Sequence, residues 1–231
     1  MARKILLELG EHYHIYNRGV DKRDIILDNY DKQRFLTALI EFNTQNPIGS
    51  IYEKTRIKKL ELKTPNTPLV KIICFSINPN HFHLLLQQIT KKGIEKFVHR
   101  LTMGFSKYFN NKYDRKGALF QGSFGSSHID SNEYLLYLSV YINLNDQIHL
   151  KHQQFGHGVS KLGLGQTSWP EYFGKQIICN SNIILDQFSS LEEYKKFSLM
   201  TLETIRENKI LEKELEYDEM ENNLDTPCPN F

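Results

Sequence analysis

The chain has 231 residues, 40% of them hydrophobic, with 12 Tyr and 14 Phe, enough for one domain with an extension or two small domains, and against a largely disordered chain. Cys74, Cys179 and Cys228 lie far apart with no CxxC pair, which excludes a disulfide framework and a cysteine zinc site and fits a reducing cytoplasm. The formal net charge of +2 divides into +7 over residues 1–150 and −5 over 151–231, so the front part points to nucleic acid, although such a charge also occurs on ordinary enzymes.

The N-terminal MARKILLELGEHYHIY is interrupted by Glu8, Glu11 and His12 before it forms a signal-peptide core. No apolar run approaches the ~18 residues of a membrane span, so a soluble, cytoplasmic protein with no membrane partner is expected. EHYHIYNRGV, 11–20, alternates and ends at Gly19, which predicts a strand and a turn. YDKQRFLTALIEFNTQN, 30–46, spaces Phe35, Leu36, Leu39, Ile40 and Phe42 as a helix that Pro47 closes. Residues 48–68, around the basic TRIKKLELK, are expected to form a long loop or hairpin. LVKIICFSI and HFHLLLQQI then read as two strands joined by a turn at Asn78, Pro79 and Asn80.

A long helix is expected over 91–114, where Ile94, Phe97, Val98, Leu101, Phe105, Tyr108 and Phe109 form one stripe. GALFQGSFGSSHI, 117–129, reads as a strand broken by small residues. Ser131 reads as the N-cap of a helix over NEYLLYLSVYINLN. The fold class is therefore α+β: a ferredoxin-like, RRM-like βαββαβ antiparallel sheet with two helices on one face, an additional helix and a free second face. Residues 151–174 read as a Gly- and His-rich loop, and 191–223 as one or two acidic helices with a disordered tail.

In NPNHFHLLLQ, 78–87, His81 and His83 are two apart on a strand, so they share a face while Phe82 enters a core. Two imidazoles so placed can converge on one ion, yet His12 and His14 repeat the spacing, and hydrogen-bonded surface histidines are the plainer reading. Tyr141 and Asn145, at i and i+4, would share one helix face and bring a phenol and an amide oxygen to the histidines. That set suits phosphodiester cleavage: a Mg or Mn ion on two imidazoles and an amide, and a tyrosine whose phosphoester conserves the bond energy.

These segments carry a resemblance. YHIYNRGVDKRDIIL (13–27), NPNHFHLLLQ (78–87), FSKYFNNKYDRKGALFQGSF (105–124) and EYLLYLSVYINLN (133–145) resemble the HUH single-tyrosine transposases, most closely the REP-associated branch. The likeness covers roughly residues 10–198. It implies a catalytic domain at 1–150 and a loop plus acidic helical extension at 151–231. It also implies His81, His83 and Asn145 as ligands of a divalent metal, Tyr141 as the nucleophile, and single-stranded or hairpin DNA as the partner. Well-known relatives carry glutamine where this chain has Asn145, and Tyr137 is a rival nucleophile one turn earlier. Insertion-sequence relatives form homodimers whereas REP-associated ones can act as monomers, so both states are open.

Arg18 with Gly19, and the helix residues Lys92, Lys96, Arg100 and Lys107, are candidate DNA-binding groups, with a plain turn and a solvated helix face as the alternatives. Relatives read FQGRF or FQGRY where this chain has FQGSFGS, so Ser123 and Gly125 remove expected contacts, as in weaker binding, a shifted preference or a decayed or domesticated copy. A non-catalytic RRM-like module stacking bases on Phe75, Phe82 or Tyr16 is the rival of another class. A two-histidine phosphoesterase is excluded because no histidine is followed two residues later by Thr or Ser.

Overall fold

The computed structural model describes residues 6–46, 48–49, 51, 67–150, 165–174 and 176–224. The basic loop expected at 48–68, the loop at 151–164 and the tail after 224 lie mostly or wholly outside these residues. The elements are β1 (His12–Arg18), a 3-10 turn (Val20–Lys22), α1 (Asn29–Glu41), β2 (Val70–Ile77), β3 (His81–Gln88), α2 (Gly93–Lys112), β4 (Gly125–His128) and α3 (Asn132–Asn143). There follow α4 (Asn145–Leu150), β5 (Gln166–Thr167), α5 (Trp169–Tyr172), α6 (Asn182–Leu185) and α7 (Leu191–Leu224). The βαββαβ order is present, and the sheet runs β4-β1-β3-β2-β5 with antiparallel neighbours throughout. β3, which carries the two histidines, is central.

Local chemistry sets the element ends. Asp28 caps α1 by accepting from the Asp31 N–H at 2.9 Å, and Ser131 caps α3 as its sequence predicts, accepting from the Tyr134 N–H at 3.2 Å. α1 stops at Glu41, before Pro47, because Asn43 is drawn to the start of β2. Its Oδ1 accepts from Leu69 N and Val70 N at 2.9 and 3.0 Å, and its Nδ2 donates to Val70 O at 2.9 Å.

Strand alternation separates two faces. Tyr13, Ile15, Phe75, Phe82, Leu84 and Leu86 point into one core against Phe35, Leu39, Phe97, Leu101 and Phe105 of α1 and α2. Phe82 is fully buried there, its ring 5.3 Å from that of Phe35. The second face is free only in part. α3 lays Leu135, Leu138 and Ile142 over Ile73, Cys74 and Leu85, and Tyr172, Ile184 and Tyr194 complete this second core. The expectation of a wholly open face is thus corrected. The covering elements β5, α5 and α6 are too short to show a period, and β5 and α5 fall where a loop is expected.

Candidate functional site

The tight turn between β2 and β3 builds the first half of the site. Asn78 N donates to His81 O at 2.8 Å, closing the turn. Asn80 Nδ2 donates to Lys22 O at 3.2 Å, which turns Asn80 Oδ1 to His81 Nδ1, 2.6 Å away. Since Oδ1 only accepts, His81 carries its proton on Nδ1 and presents the Nε2 lone pair inward. Nε2 lies 3.1 Å from Asn78 Nδ2, which donates to it. His83 stands perpendicular to His81, ring centroids 5.0 Å apart, and its Nδ1 shares a hydrogen with His14 Nε2 at 2.9 Å. Burial lowers the His14 pKa to about 4, so His14 is neutral at pH 7.

α3 supplies the second half. The Tyr141 ring meets His83 edge to face at 5.7 Å. Burial raises the phenol's pKa, and the Asn145 amide acts in the opposite direction. Asn145 is fully buried, and its Oδ1 accepts from Asn78 Nδ2 at 2.8 Å. The single helix expected over 132–145 is broken. α3 ends at Asn143, Leu144 leaves helical geometry (φ −110°, ψ 22°), and Asn145 opens α4. The end of α3 is anchored to β2 through Ser168, whose Oγ donates to Asn143 Oδ1 at 2.6 Å and accepts from Phe75 N at 2.9 Å. Asn143 also donates to Tyr194 Oη at 3.2 Å.

A cavity of about 600 Å³ lies over this constellation, lined by Tyr16, Arg18, His81, His83, Gln121, Ser123, Gly125 and Tyr141 among others. Tyr137 is not among its lining residues. It packs against Val140, Leu144, Ile148, Leu202 and Ile205. Phe75 and Phe82 are fully buried on the opposite face, which removes them as base-stacking platforms; Tyr16, 41% exposed, remains. Gly125 pairs with Tyr16, and a Cβ there would meet the Tyr16 ring at 2.4 Å, so packing accounts for this glycine.

Of the candidate basic residues only Arg18 reaches the cavity. Lys92, Lys96, Arg100 and Lys107 belong to the α2 layer on the far side of the sheet. Arg100 donates to Thr44 O at 2.5 Å, stapling the end of α1. Sequence reasoning missed Asn78, Asn80 and His14 as members of the site. Asn78 and Asn80 read as turn residues, and His14 as a chance repeat, although β1 pairs His14 with Leu85 and so sets it diagonally across from His83 on the same face.

The family model "Transposase IS200 like" matches residues 11–145, more than half of the chain. The chain belongs to the IS200-like transposase family. Among solved structures, this IS200-like transposase is similar to a REP-associated tyrosine transposase bound to a REP hairpin, at 14% identity and TM-score 0.47 over 76% of this chain and 86% of that one. It is also similar to a candidate transposase from Deinococcus radiodurans, at 14% identity and TM-score 0.34 over 66% and 96% of the two chains. No curated protein matches it.

The residues present fit a divalent ion of the kind the family implies. His81 Nε2 and Asn145 Oδ1 are brought beside one another by a shared contact with the Asn78 amide nitrogen, at 3.1 and 2.8 Å. Asn145 Nδ2 is buried without a hydrogen bond of good geometry. Among the described residues no cluster of three His, Cys, Asp or Glu is suited to a metal, so the donor set here is imidazole plus amide. Neutral imidazole nitrogens can hold a first-row divalent ion, and the amide oxygen adds a hard donor of the kind Mn and Mg take.

Proposed function

We propose that this transposase cuts and rejoins hairpin-containing single-stranded DNA through Tyr141, with His81, His83 and Asn145 holding a Mg or Mn ion. The observation that carries the reading is the placement of the Tyr141 ring against His83, with His81 on the same cavity wall. Tyr141 Oη attacks the scissile phosphorus, forming a 5′-phosphotyrosine. The bond from phosphorus to the 3′ oxygen breaks, and the phenol proton is balanced by the proton taken up on the released 3′-OH. Reversal by a 3′-OH rejoins strands without a nucleotide cofactor, because the phosphoester bond is conserved.

The protein's own groups perform the positioning. Partial burial keeps Tyr141 a phenol at neutral pH. Arg18, exposed at the end of β1 and lining the cavity, grips a backbone phosphate, and Tyr16 stacks a base beside it. Asn80 keeps His81 with its lone pair inward. The ion, when bound, polarises a phosphate oxygen and offsets charge developing at phosphorus. Substrate class and strand polarity follow from the resemblance to the family.

The test is incubation with the hairpin-bearing single strands that flank the gene, with Mn or Mg, followed by a denaturing gel. A covalent protein–DNA band that Tyr141→Phe abolishes and Tyr137→Phe leaves in place is expected. The opposite pattern would make Tyr137 the nucleophile, and no band with either metal would leave a non-catalytic binding module.

A further inference from the structure

Asn78 is held in a way that the turn alone does not require. Three acceptors converge on its amide nitrogen: Asn145 Oδ1 at 2.8 Å, His81 Nε2 at 3.1 Å and Ser76 Oγ at 3.3 Å. An amide carries two hydrogens, so the nitrogen is oversubscribed. The side chain is nearly buried, and its backbone is pinned by the bond to His81 O. Its tip therefore has few other places to go.

The two shorter distances have a second meaning. In an octahedral site with metal bonds of about 2.1 Å, adjacent ligand atoms stand about 3.0 Å apart. The Asn78 tip stands in that relation to both His81 Nε2 and Asn145 Oδ1. Rotating the terminal amide by 180° exchanges nitrogen for oxygen at nearly the same point, which turns a donor into a metal ligand without moving the backbone. We propose that Asn78 Oδ1 is a further ligand of the divalent ion, and that its NH2 holds the His81 and Asn145 acceptors in place until the ion enters. This rests on the reading of His81 and Asn145 as ligands. With His83 the set becomes two imidazoles and two amide oxygens, leaving two corners for a phosphate oxygen and water. The added hard oxygen favours Mn or Mg.

The test titrates the full chain with Mn2+ at pH 8, following the free-ion electron paramagnetic resonance signal, for wild type, Asn78→Leu, Asn78→Asp and His81→Ala. Asn78→Leu should weaken binding on the order of tenfold, and the isosteric Asn78→Asp should tighten it on the order of tenfold, because ligand count and charge set affinity. Thermal melts show whether each variant folds; if Asn78→Leu does not, Asn78→Asp decides alone. A folded Asn78→Leu or an Asn78→Asp that binds as wild type does, while His81→Ala loses the ion, overturns the Asn78 ligand and leaves the site reading intact. If His81→Ala also binds like wild type, or wild type takes up no Mn2+, the site reading fails with it.

Discussion

Asn80 and His14 show how much of a site lies behind the residues that would hold the ion. Asn80 accepts from His81 Nδ1 at 2.6 Å and is itself oriented by Lys22 O, the arrangement that fixes a metal-binding histidine's tautomer. Asn80→Ala should lower Mn2+ affinity about 10–100-fold, a usual cost of losing such a partner, while Asn80→Asp, which keeps an acceptor oxygen, should retain it; calorimetric titration of the folded variants distinguishes the two. An HxH spacing on a strand is visible in sequence because strand alternation is strict. The Asn80 bond depends on the 3-10 turn at Val20–Lys22, some 60 positions earlier in the chain, arriving beside the β2–β3 turn, and no local spacing encodes that. The Asn145 placement was legible for a different reason than the one that produced it: the helix breaks at Leu144, and the amide arrives through Asn78.

At the scale of elements, α1 and α2 are locked by a buried carboxylate. Asp31, fully buried, accepts from Lys112 Nζ at 2.7 Å, Tyr108 Oη at 2.9 Å, Tyr113 Oη at 2.8 Å and Leu27 N at 2.9 Å. Asp31→Ala leaves Lys112 paired with Asp28 but strips Tyr108 Oη, Tyr113 Oη and Leu27 N of their shared acceptor, so it should cost about 1–3 kcal/mol, read from urea unfolding. Lys112 also bonds Asp28 Oδ2 at 2.6 Å, and that bond is the chief reason the Asp28 pKa is lowered. A carboxylate with a lowered folded-state pKa contributes stability above its unfolded pKa and loses it as pH falls through the folded value. The destabilisation caused by Lys112→Met should therefore be full at pH 7 and shrink below the ordinary carboxylate range, which urea midpoints at the two pH values would show. The helices were legible from their apolar stripes. The lock was not, because Asp31 looks like an ordinary first-turn acidic residue until α2 packs against it.

Across the whole molecule, the sheet separates a packed core from a chemical face, and residues beyond 165 determine how much of that face stays open. Tyr172 and Tyr194 are buried over β2 and α3, and Tyr172 Oη donates to Ile73 O at 3.1 Å. A chain ending at residue 150 would uncover Val140 and Leu144, which pack with Leu202 and Ile205, and lose the Ser168 anchor of α3. Such a truncation should show a lower or non-cooperative thermal transition by circular dichroism, together with loss of Tyr141-dependent cleavage.

By itself the sequence determined the βαββαβ order, the burial of Phe82, the helix cap at Ser131 and the pairing of His81 with His83, because alternation, helical period and capping are interactions between residues near one another in the chain. Only the tertiary structure decided that α3 and the C-terminal segment cover part of the second face, that the basic residues of α2 lie away from the cavity, and that Asn78, Asn80 and His14 surround the histidines. Those contacts join residues far apart in sequence, held together by the burial of two separate cores, and nothing in local spacing records which side of the sheet each will reach.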